Sequence, residues 1–293
     1  MKKGKRPDIA FETRNRMMKK IEKGKAFIED HLDTFQCPVC ASPFNTLEGY
    51  QLTCLKHHQF DLSKKGTLHF LLKPVQSEYT RDMLLSRQRI AQSGFWHPLL
   101  DTIYERIVKP DGFHLDVGSG EGYHSHYLKT AGLSGPIIAF DISKEGVNLG
   151  AATYDDLFFM VADLAQSPFA PDSFDTILNI LSPSNYQEFK RILKPGGQVI
   201  KVVPGKDYLK ELRQLVKSED KDYSNERVVR KFAEHYPNYQ EIPVRYSVSL
   251  DDSQIEDFVN MTPLGWHLKE DAYIKHMLQT ITVDLILLEG VSD

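Results

Sequence analysis

The chain has 293 residues, 41% of them hydrophobic and 26% charged, with a formal net charge of −4 at pH 7. That length allows one sizeable core plus an accessory domain, and that composition excludes a disordered chain and a membrane class. The longest apolar runs, such as Ile281–Leu288, are interrupted by Thr282 and Asp284 and are far too short to span a bilayer.

The first 25 residues are basic and lack the apolar stretch of a secretory signal, so a cytoplasmic protein with no membrane attachment is expected. They hold ten Lys or Arg against three acids, Asp8, Glu12 and Glu22. Arg81, Arg87 and Arg89 form a second basic group. Positive charge is thus concentrated in the N-terminal third, as expected of an end that meets phosphate. A solvated, frayed tail is the plainer account of the first 25 residues.

All three cysteines, Cys37, Cys40 and Cys54, fall within a short stretch. An odd count speaks against a disulfide framework. Cys37-Pro-Val-Cys40 is a turn that aims two thiolates at one point; Cys54 follows a hairpin-sized excursion, with His57 and His58 close behind. Three thiolates and an imidazole suit Zn²⁺. Four protein ligands leave no position for water or substrate, so a structural ion is expected, one that supplies most of the folding energy of a small module.

The coarse pattern continues with strand-like Tyr50–Cys54 and Gly66–Leu71, a link from Pro74 to Tyr79, and helical periodicity over 80–92 and 96–108. From Phe113 strands and helices alternate. Strands are predicted at His114–Val117, Pro136–Phe140, Leu157–Val161, Asp175–Ile180 and Gln198–Val203, with helices at Tyr123–Lys129, Glu145–Ala152 and Tyr186–Leu193. Lys194-Pro-Gly-Gly197 stops the last helix and turns into a strand. Two more helices (Tyr208–Lys217, Glu226–His235) and two strands (Ile242–Leu250, Thr282–Glu289) complete the chain. The alternation predicts an α/β fold with a parallel, doubly wound sheet.

Leu115-Asp116-Val117-Gly118-Ser119-Gly120-Glu121-Gly122 has the form of a cofactor turn between strand and helix. Asp116 stands before the first glycine, where a phosphate loop would avoid negative charge; the cationic sulfonium and amino group of S-adenosylmethionine (SAM) would welcome it. Asp141 closes the second strand, placed to accept from two ribose hydroxyls. Asp163 follows the third, where a carboxylate meets an adenine amine. Each has a plainer reading: Asp141 with Ser143 as a helix cap, Asp163 in an ordinary turn. Together with the Lys-Pro-Gly-Gly turn they look like a class I SAM-dependent methyltransferase with a Rossmann-like sheet.

The chain resembles the RlmA family, bacterial 23S rRNA (guanine-N1)-methyltransferases, from residue 35 to the end. The residues that carry the likeness include the Cys37–Cys40 and Cys54–Asp61 segments, Gly94-Phe-Trp-His-Pro-Leu99, Leu115–Tyr123, Asp141-Ile-Ser-Lys144, Ser182-Pro183, Lys194-Pro-Gly-Gly197, Pro204-Gly205 and Met261-Thr-Pro-Leu-Gly-Trp266. The resemblance implies that Cys37, Cys40, Cys54 and His58 hold the zinc. It implies that Trp96, His124, Ser125 and Tyr208 contact SAM, although Tyr208 stands where some members have histidine and Trp96 where they have tyrosine. It also implies a zinc-binding RNA-recognition domain over 31–75 and a methyltransferase domain over 76–293; the basic arm expected over 1–30 departs from shorter members and rests on its charge alone. The partner is then 23S rRNA, and a homodimer is one assembly left open.

The reaction expected is methylation of guanine N1 in a 23S rRNA hairpin loop. A SAM-dependent enzyme acting on another RNA, a protein or a small molecule, with the zinc finger structural, is the alternative. Asn179-Ile-Leu-Ser-Pro-Ser184 occupies the place after the fourth strand that faces the methyl group, and it is not the sequence of an exocyclic-amine enzyme. The proton on guanine N1 needs an acceptor, for which His124, His126 and Asp163 are candidates. Trp96 and Trp266 are aromatics able to stack an extruded base, and the helix carrying Arg81, Arg87 and Arg89 is expected to grip RNA phosphates together with the zinc head.

Overall fold

The computed structural model describes residues 18–73, 75, 80–215, 224–262, 265, 268 and 272–292. The basic residues before position 18, the link residues 74 and 76–79, Val216, Lys217 and Trp266 lie outside them. The first element is helix α1 (Lys20–Asp30), followed by a 3-10 turn at Leu32–Thr34. Three short strands, β1 (Phe44–Glu48), β2 (Gln51–Cys54) and β3 (Gln59–Asp61), make a small antiparallel sheet in the order β1-β2-β3. Then come β4 (Leu68–His69), α2 (Arg81–Gln92) and α3 (His97–Arg106). Thr80 caps α2 by accepting from the Met83 amide, and Pro98 sits in the first turn of α3, where a missing N–H costs nothing.

The alternating region follows the prediction closely: β5 (His114–Val117), α4 (Tyr123–Ala131), β6 (Ile137–Asp141), α5 (Lys144–Thr153), β7 (Phe158–Val161), β8 (Phe174–Ile180), α6 (Tyr186–Ile192) and β9 (Leu193–Pro204). The chain ends with α7 (Lys210–Leu215), α8 (Glu226–His235), β10 (Gln240–Ser249), α9 (Asp252–Asn260), α10 (Ala272–Met277) and β11 (Thr280–Val291). Eight strands form one sheet in the order β10-β11-β9-β8-β5-β6-β7-β4. The run from β4 to β9 is parallel, whereas β10 and β11 form an antiparallel hairpin on β9. The strand order reverses between β5 and β8, and in folds of this kind the ligand crevice lies there, outside the carboxyl ends of the strands.

Alternate residues feed the two faces. Ile137, Ala139 and Leu178 join the core beneath α4 and α5, while Leu115, Val117, Ile138, Phe140 and Ile177 join the core beneath α6 and α8. Period-two burial of this kind requires cover on both sides of the sheet, and the helices supply it. The Lys-Pro-Gly-Gly segment is not a plain turn. Leu193 pairs with Phe174 and Gln198 with Thr176, and the intervening residues bulge between those contacts. Tyr208 precedes its helix, because the Gly205–Leu209 turn ends with Leu209 at φ 52°.

Two expectations change at the amino-terminal end. From Lys20 onward the basic arm is a helix docked on the main sheet: Phe27 stacks on Phe158 with ring centroids 4.4 Å apart, Ile28 is fully buried, and Lys20 and Lys23 pair with Asp155. The zinc segment also does not stand alone. Its last strand, β4, runs parallel to β7 as the edge of the main sheet, and Phe35, Phe44, Leu52 and Phe70 share one core with Met160 and Phe169. The apolar faces of β1–β3 are too small to enclose a core, so they share the one beneath the sheet.

Helix α1 and the turn after β3 touch backbone to backbone. A Cβ on Gly24 would lie 2.5 Å from the Gly66 carbonyl oxygen, and neither main chain can yield easily. Gly24→Ala should therefore cost roughly 1–3 kcal/mol, as overpacking does, lowering the melting temperature by about 2–4 °C per kcal/mol. A thermal melt followed by circular dichroism measures it. An unchanged midpoint would mean that α1 is not docked this way in solution.

Candidate functional site

The three cysteines and His58 come together as one cluster. Cys40 Sγ and Cys54 Sγ are 3.7 Å apart, and His58 Nδ1 lies 3.4 Å from Cys54 Sγ and 3.6 Å from Cys37 Sγ. All four donor atoms fall within 4.8 Å of one another. A tetrahedral zinc with bonds of about 2.3 Å to sulfur and 2.0–2.1 Å to nitrogen has edges of about 3.8 and 3.5 Å, so the donor set fits zinc in both type and spacing. A disulfide is excluded by the same separation, since that bond is about 2.05 Å long.

Two knuckles build the cluster. The Ala41 amide donates to the Cys37 carbonyl and the His57 amide to the Cys54 carbonyl, each 2.8 Å, and Ala41 and His57 adopt left-handed backbone at φ 54° and 63°. His57 is exposed at the bend, while His58 and the half-buried Cys40 complete the set with Cys37 and Cys54 inside.

The second site is the turn between β5 and α4. Gly118, Gly120 and Gly122 all have positive φ (75°, 58° and 82°), which lets the chain fold back over the strand ends. The Gly118 and Ser119 amides donate to the Phe140 carbonyl. A Cβ on Gly118 would sit 1.9 Å from Ser182 Oγ, while one on Gly120 would meet nothing within 4 Å. Gly118 is thus pressed on the loop after β8, and Gly120 faces open space.

Three carboxylates stand at this end of the sheet. Asp116 is 2% exposed and accepts from Ser125 Oγ at 2.7 Å. Burial pushes its carboxyl up to about 7, with the nearby Asp141 charge adding to the rise. Asp141 accepts from the Gly120 amide at 2.8 Å and the Ser143 amide at 2.7 Å; burial raises its carboxyl too, and the Arg87 guanidinium partly offsets that. Asp163 accepts from the Ala165 amide at 2.8 Å and caps the 3-10 turn Leu164–Gln166. Ser143 itself caps α5 through the Gly146 amide, so Asp141 is not needed as the cap.

Two buried acids at a strand end raise each other's cost of ionisation, and a cation placed between them relieves it. Among the described residues the Ser119 hydroxyl is also buried with no hydrogen-bond partner. Open space at Gly120, an orphaned hydroxyl and crowded carboxylates are together what a ligand with a positive centre and several hydroxyl or amine groups would satisfy. SAM is such a ligand, and these residues fit it.

Trp96 and His124 are brought together, the indole edge-on to the imidazole at 5.7 Å. Trp96 is 7% exposed and packs against Phe95, which makes it part of the core wall as much as of the crevice. Burial and the Arg87 charge push His124 down to about 4, so its ring is neutral at physiological pH. His126 lies two residues further on, paired with Asp156 at 2.8 Å and stacked on Tyr154. Tyr208 is in the turn after β9 and, like Tyr246, packs partly buried against the core beneath α4 and α5.

Helix α2 plays a different part from the one expected. Arg89 pairs with Asp257, its Nε 2.7 Å from Oδ2, and the Arg87 Nε donates to the Met261 carbonyl at 2.9 Å. Arg87 acts on both Asp141 and His124, so its charge faces the crevice. Arg87, half-buried, and Arg89, exposed but paired with Asp257, thus each have a partner within the body, while Arg81 is exposed at the start of the helix. Sequence reasoning also passed over Ile142, which is 39% exposed beside Asp141, and over Lys201. A lysine inside the apolar strand Gln198-Val-Ile-Lys-Val-Val203 was the signal available for the latter.

Removing zinc with a chelator should release one ion per chain and lower the melting temperature, because β1–β3 share their core with the sheet edge. Metal analysis and a melt, repeated on Cys54→Ser, check this. A metal-free protein that melts where the loaded one does would show that the cluster holds nothing in place.

The chain matches the methyltransferase-domain family over residues 115–201 and the RlmA N-terminal zinc-ribbon family over residues 35–81. It is 39% identical over 272 residues to YxjB of Bacillus subtilis (strain 168), which is named as a candidate 23S rRNA (guanine-N1)-methyltransferase; the match covers 88% of this chain and 96% of that protein. It is 27% identical over 252 residues to the 23S rRNA (guanine(748)-N(1))-methyltransferase of Streptomyces fradiae, covering 83% and 90%. Among solved structures, a SAM-dependent methyltransferase from Aquifex aeolicus is similar with TM-score 0.48 and 14% identity, covering 74% of this chain and 100% of that one. With the zinc ribbon ahead of the methyltransferase domain and the identity to YxjB running through nearly all of both proteins, the chain belongs to the RlmA family of 23S rRNA (guanine-N1)-methyltransferases.

Proposed function

We propose that this chain, in the cytoplasm, methylates N1 of a guanine in a hairpin loop of 23S rRNA. The observation that carries the reading is the 39% identity over 88% of the chain to a relative of that name, with a Cys₃His cluster and an acid-flanked glycine turn both formed. SAM, when bound, supplies a methyl group on a sulfonium that a nucleophile in line with it can take. Guanine N1 lies on the pairing edge, so the acceptor is a loop base or one turned out of its helix.

We assign the residues as follows. Asp116 and the backbone of Gly118, Gly120 and Gly122 form the floor for the cationic end of the cofactor, with Ser125 fixing the Asp116 carboxylate. Asp141 is the acceptor for ribose hydroxyls, Ile142 the apolar surface beside it and Asp163 the acceptor for the adenine amine. Trp96, His124 and Tyr208 close the crevice. Cys37, Cys40, Cys54 and His58 hold the structural zinc, and the ribbon of residues 31–75 recognises the RNA presented to the catalytic body of 76–293, with the basic arm of 1–30 ahead of both.

Arg87 is assigned to the cofactor as well, since its charge acts on Asp141 and, with the Ser143 and Gly120 amides, partly offsets the rise that burial causes. Arg87→Met should weaken SAM binding about tenfold, near the ~1.4 kcal/mol expected for one charge-assisted contact. Arg89→Met should leave SAM affinity unchanged, because Arg89 is committed to Asp257. Calorimetric titration separates the two; equal affinities for both variants would remove Arg87 from the site. The function itself is tested by mass mapping of 23S rRNA fragments after incubation with protein and SAM. Consumption of SAM with no N1-methylguanine in any fragment would overturn the reading.

A further inference from the structure

Lys201 lies in the middle of β9 and is 3% exposed. Its neighbours on the same face of the strand, Val199 and Val203, are in the core with Phe189, Phe232 and Tyr236. An amine in such a place loses its hydration, and that loss pushes Lys201 down to about 8. A methionine would fill the same space without that penalty. The amine must therefore be read through what it bonds.

Lys201 Nζ donates to Asn179 Oδ1 at 2.7 Å and to the Ser182 carbonyl at 3.1 Å. Asn179, its register partner on β8, donates from Nδ2 to the Pro183 carbonyl at 3.0 Å and to the Val117 carbonyl at 3.4 Å, and its Oδ1 accepts from Ser184 Oγ at 2.9 Å. One amine and one amide thus tie residues 182, 183 and 184 to the end of β5, the strand that launches the glycine turn. Leu181 enters this loop at φ 52°, a conformation that a β-strand residue does not hold unaided. The loop touches the turn directly, since Ser182 Oγ occupies the space that a side chain at Gly118 would need.

We propose that Lys201 is a positioning residue for methyl transfer: through Asn179 and the Ser182 carbonyl it locks the Leu181–Ser184 loop against Gly118, so that the loop presents the acceptor base to the methyl side of the cofactor turn. The proposal rests on the function assigned above for the acceptor. Lys201 itself stays buried and need not touch RNA or SAM. Its effect is on geometry, to which transfer rates are steeply sensitive: a displacement of 1 Å costs on the order of a hundredfold.

The test uses full-length, zinc-loaded protein as wild type, Lys201→Met, Asn179→Leu and the double variant. Hydrogen exchange of the Leu181, Ser182 and Ser184 amides, measured by mass spectrometry in the presence of SAM, should quicken about tenfold or more in each variant, with the strands keeping their protection. SAM affinity should stay within about threefold of wild type, while the single-turnover rate at saturating 23S rRNA falls by roughly tenfold to a hundredfold. The double variant should be no slower than the slower single one, because both substitutions cut the same link. Where Lys201→Met unfolds, Asn179→Leu reads the link from its other end. Unchanged loop exchange, or loss of SAM affinity in step with rate, would overturn the proposal. A wild type that leaves 23S rRNA unmethylated would defeat the acceptor reading instead, and the exchange measurement would still decide whether Lys201 holds the loop.

Discussion

Asp116 stands one residue before the end of β5, buried, with the Ser125 hydroxyl donating to it and a second carboxylate, Asp141, acting on it. Ionising it costs free energy, and burial pushes its carboxyl up to about 7. Much of the surrounding structure follows from this arrangement. The glycines let the chain fold back over the strand ends, Asp141 accepts from the Gly120 and Ser143 amides, and Arg87 brings a compensating charge from α2, a helix far from Asp141 in the chain. A ligand carrying positive charge completes the set.

The zinc ribbon and the catalytic body are joined more closely than two domains on a linker. The ribbon's edge strand β4 extends the main sheet beyond β7, and its phenylalanines enter the same core as Phe158 and Phe169. Helix α1 seals that junction through Phe27 and the Gly24–Gly66 contact. The metal therefore fixes the two knuckles, while the sheet fixes where the knuckles stand relative to the crevice. An RNA gripped by the ribbon would be held at a set distance from the turn, which suits an enzyme that must pick one base from a large substrate.

The elements of the body were legible because their signals are local. Short, near-continuous apolar runs alternating with helical stretches marked β5 to β9 within a few residues, and the helix Glu226–His235 falls where it was predicted. The acids and glycines of the turn were legible for the same reason: strand, acid and glycine are neighbours in the chain. The Lys-Pro-Gly-Gly bulge was not, because its shape depends on Leu193 pairing with Phe174 across the sheet. The part played by the basic helix was hidden as well, because the partners of Arg87 and Arg89 are Met261 and Asp257, far along the chain.

Composition, spacing and periodicity by themselves determined the α/β class, a zinc module of three cysteines with His57 or His58 beside them, and the acid-flanked turn, since each is built from short local segments; His58 as the fourth donor came with the family resemblance. Tertiary structure alone decided which charges are spent inside the protein, where the ribbon docks, and that a lysine in an apolar strand ties down the loop beside the glycine turn. Those outcomes turn on long-range contacts and on burial. The energy of a buried charge is set by whatever the rest of the chain brings to it, and no local pattern encodes that.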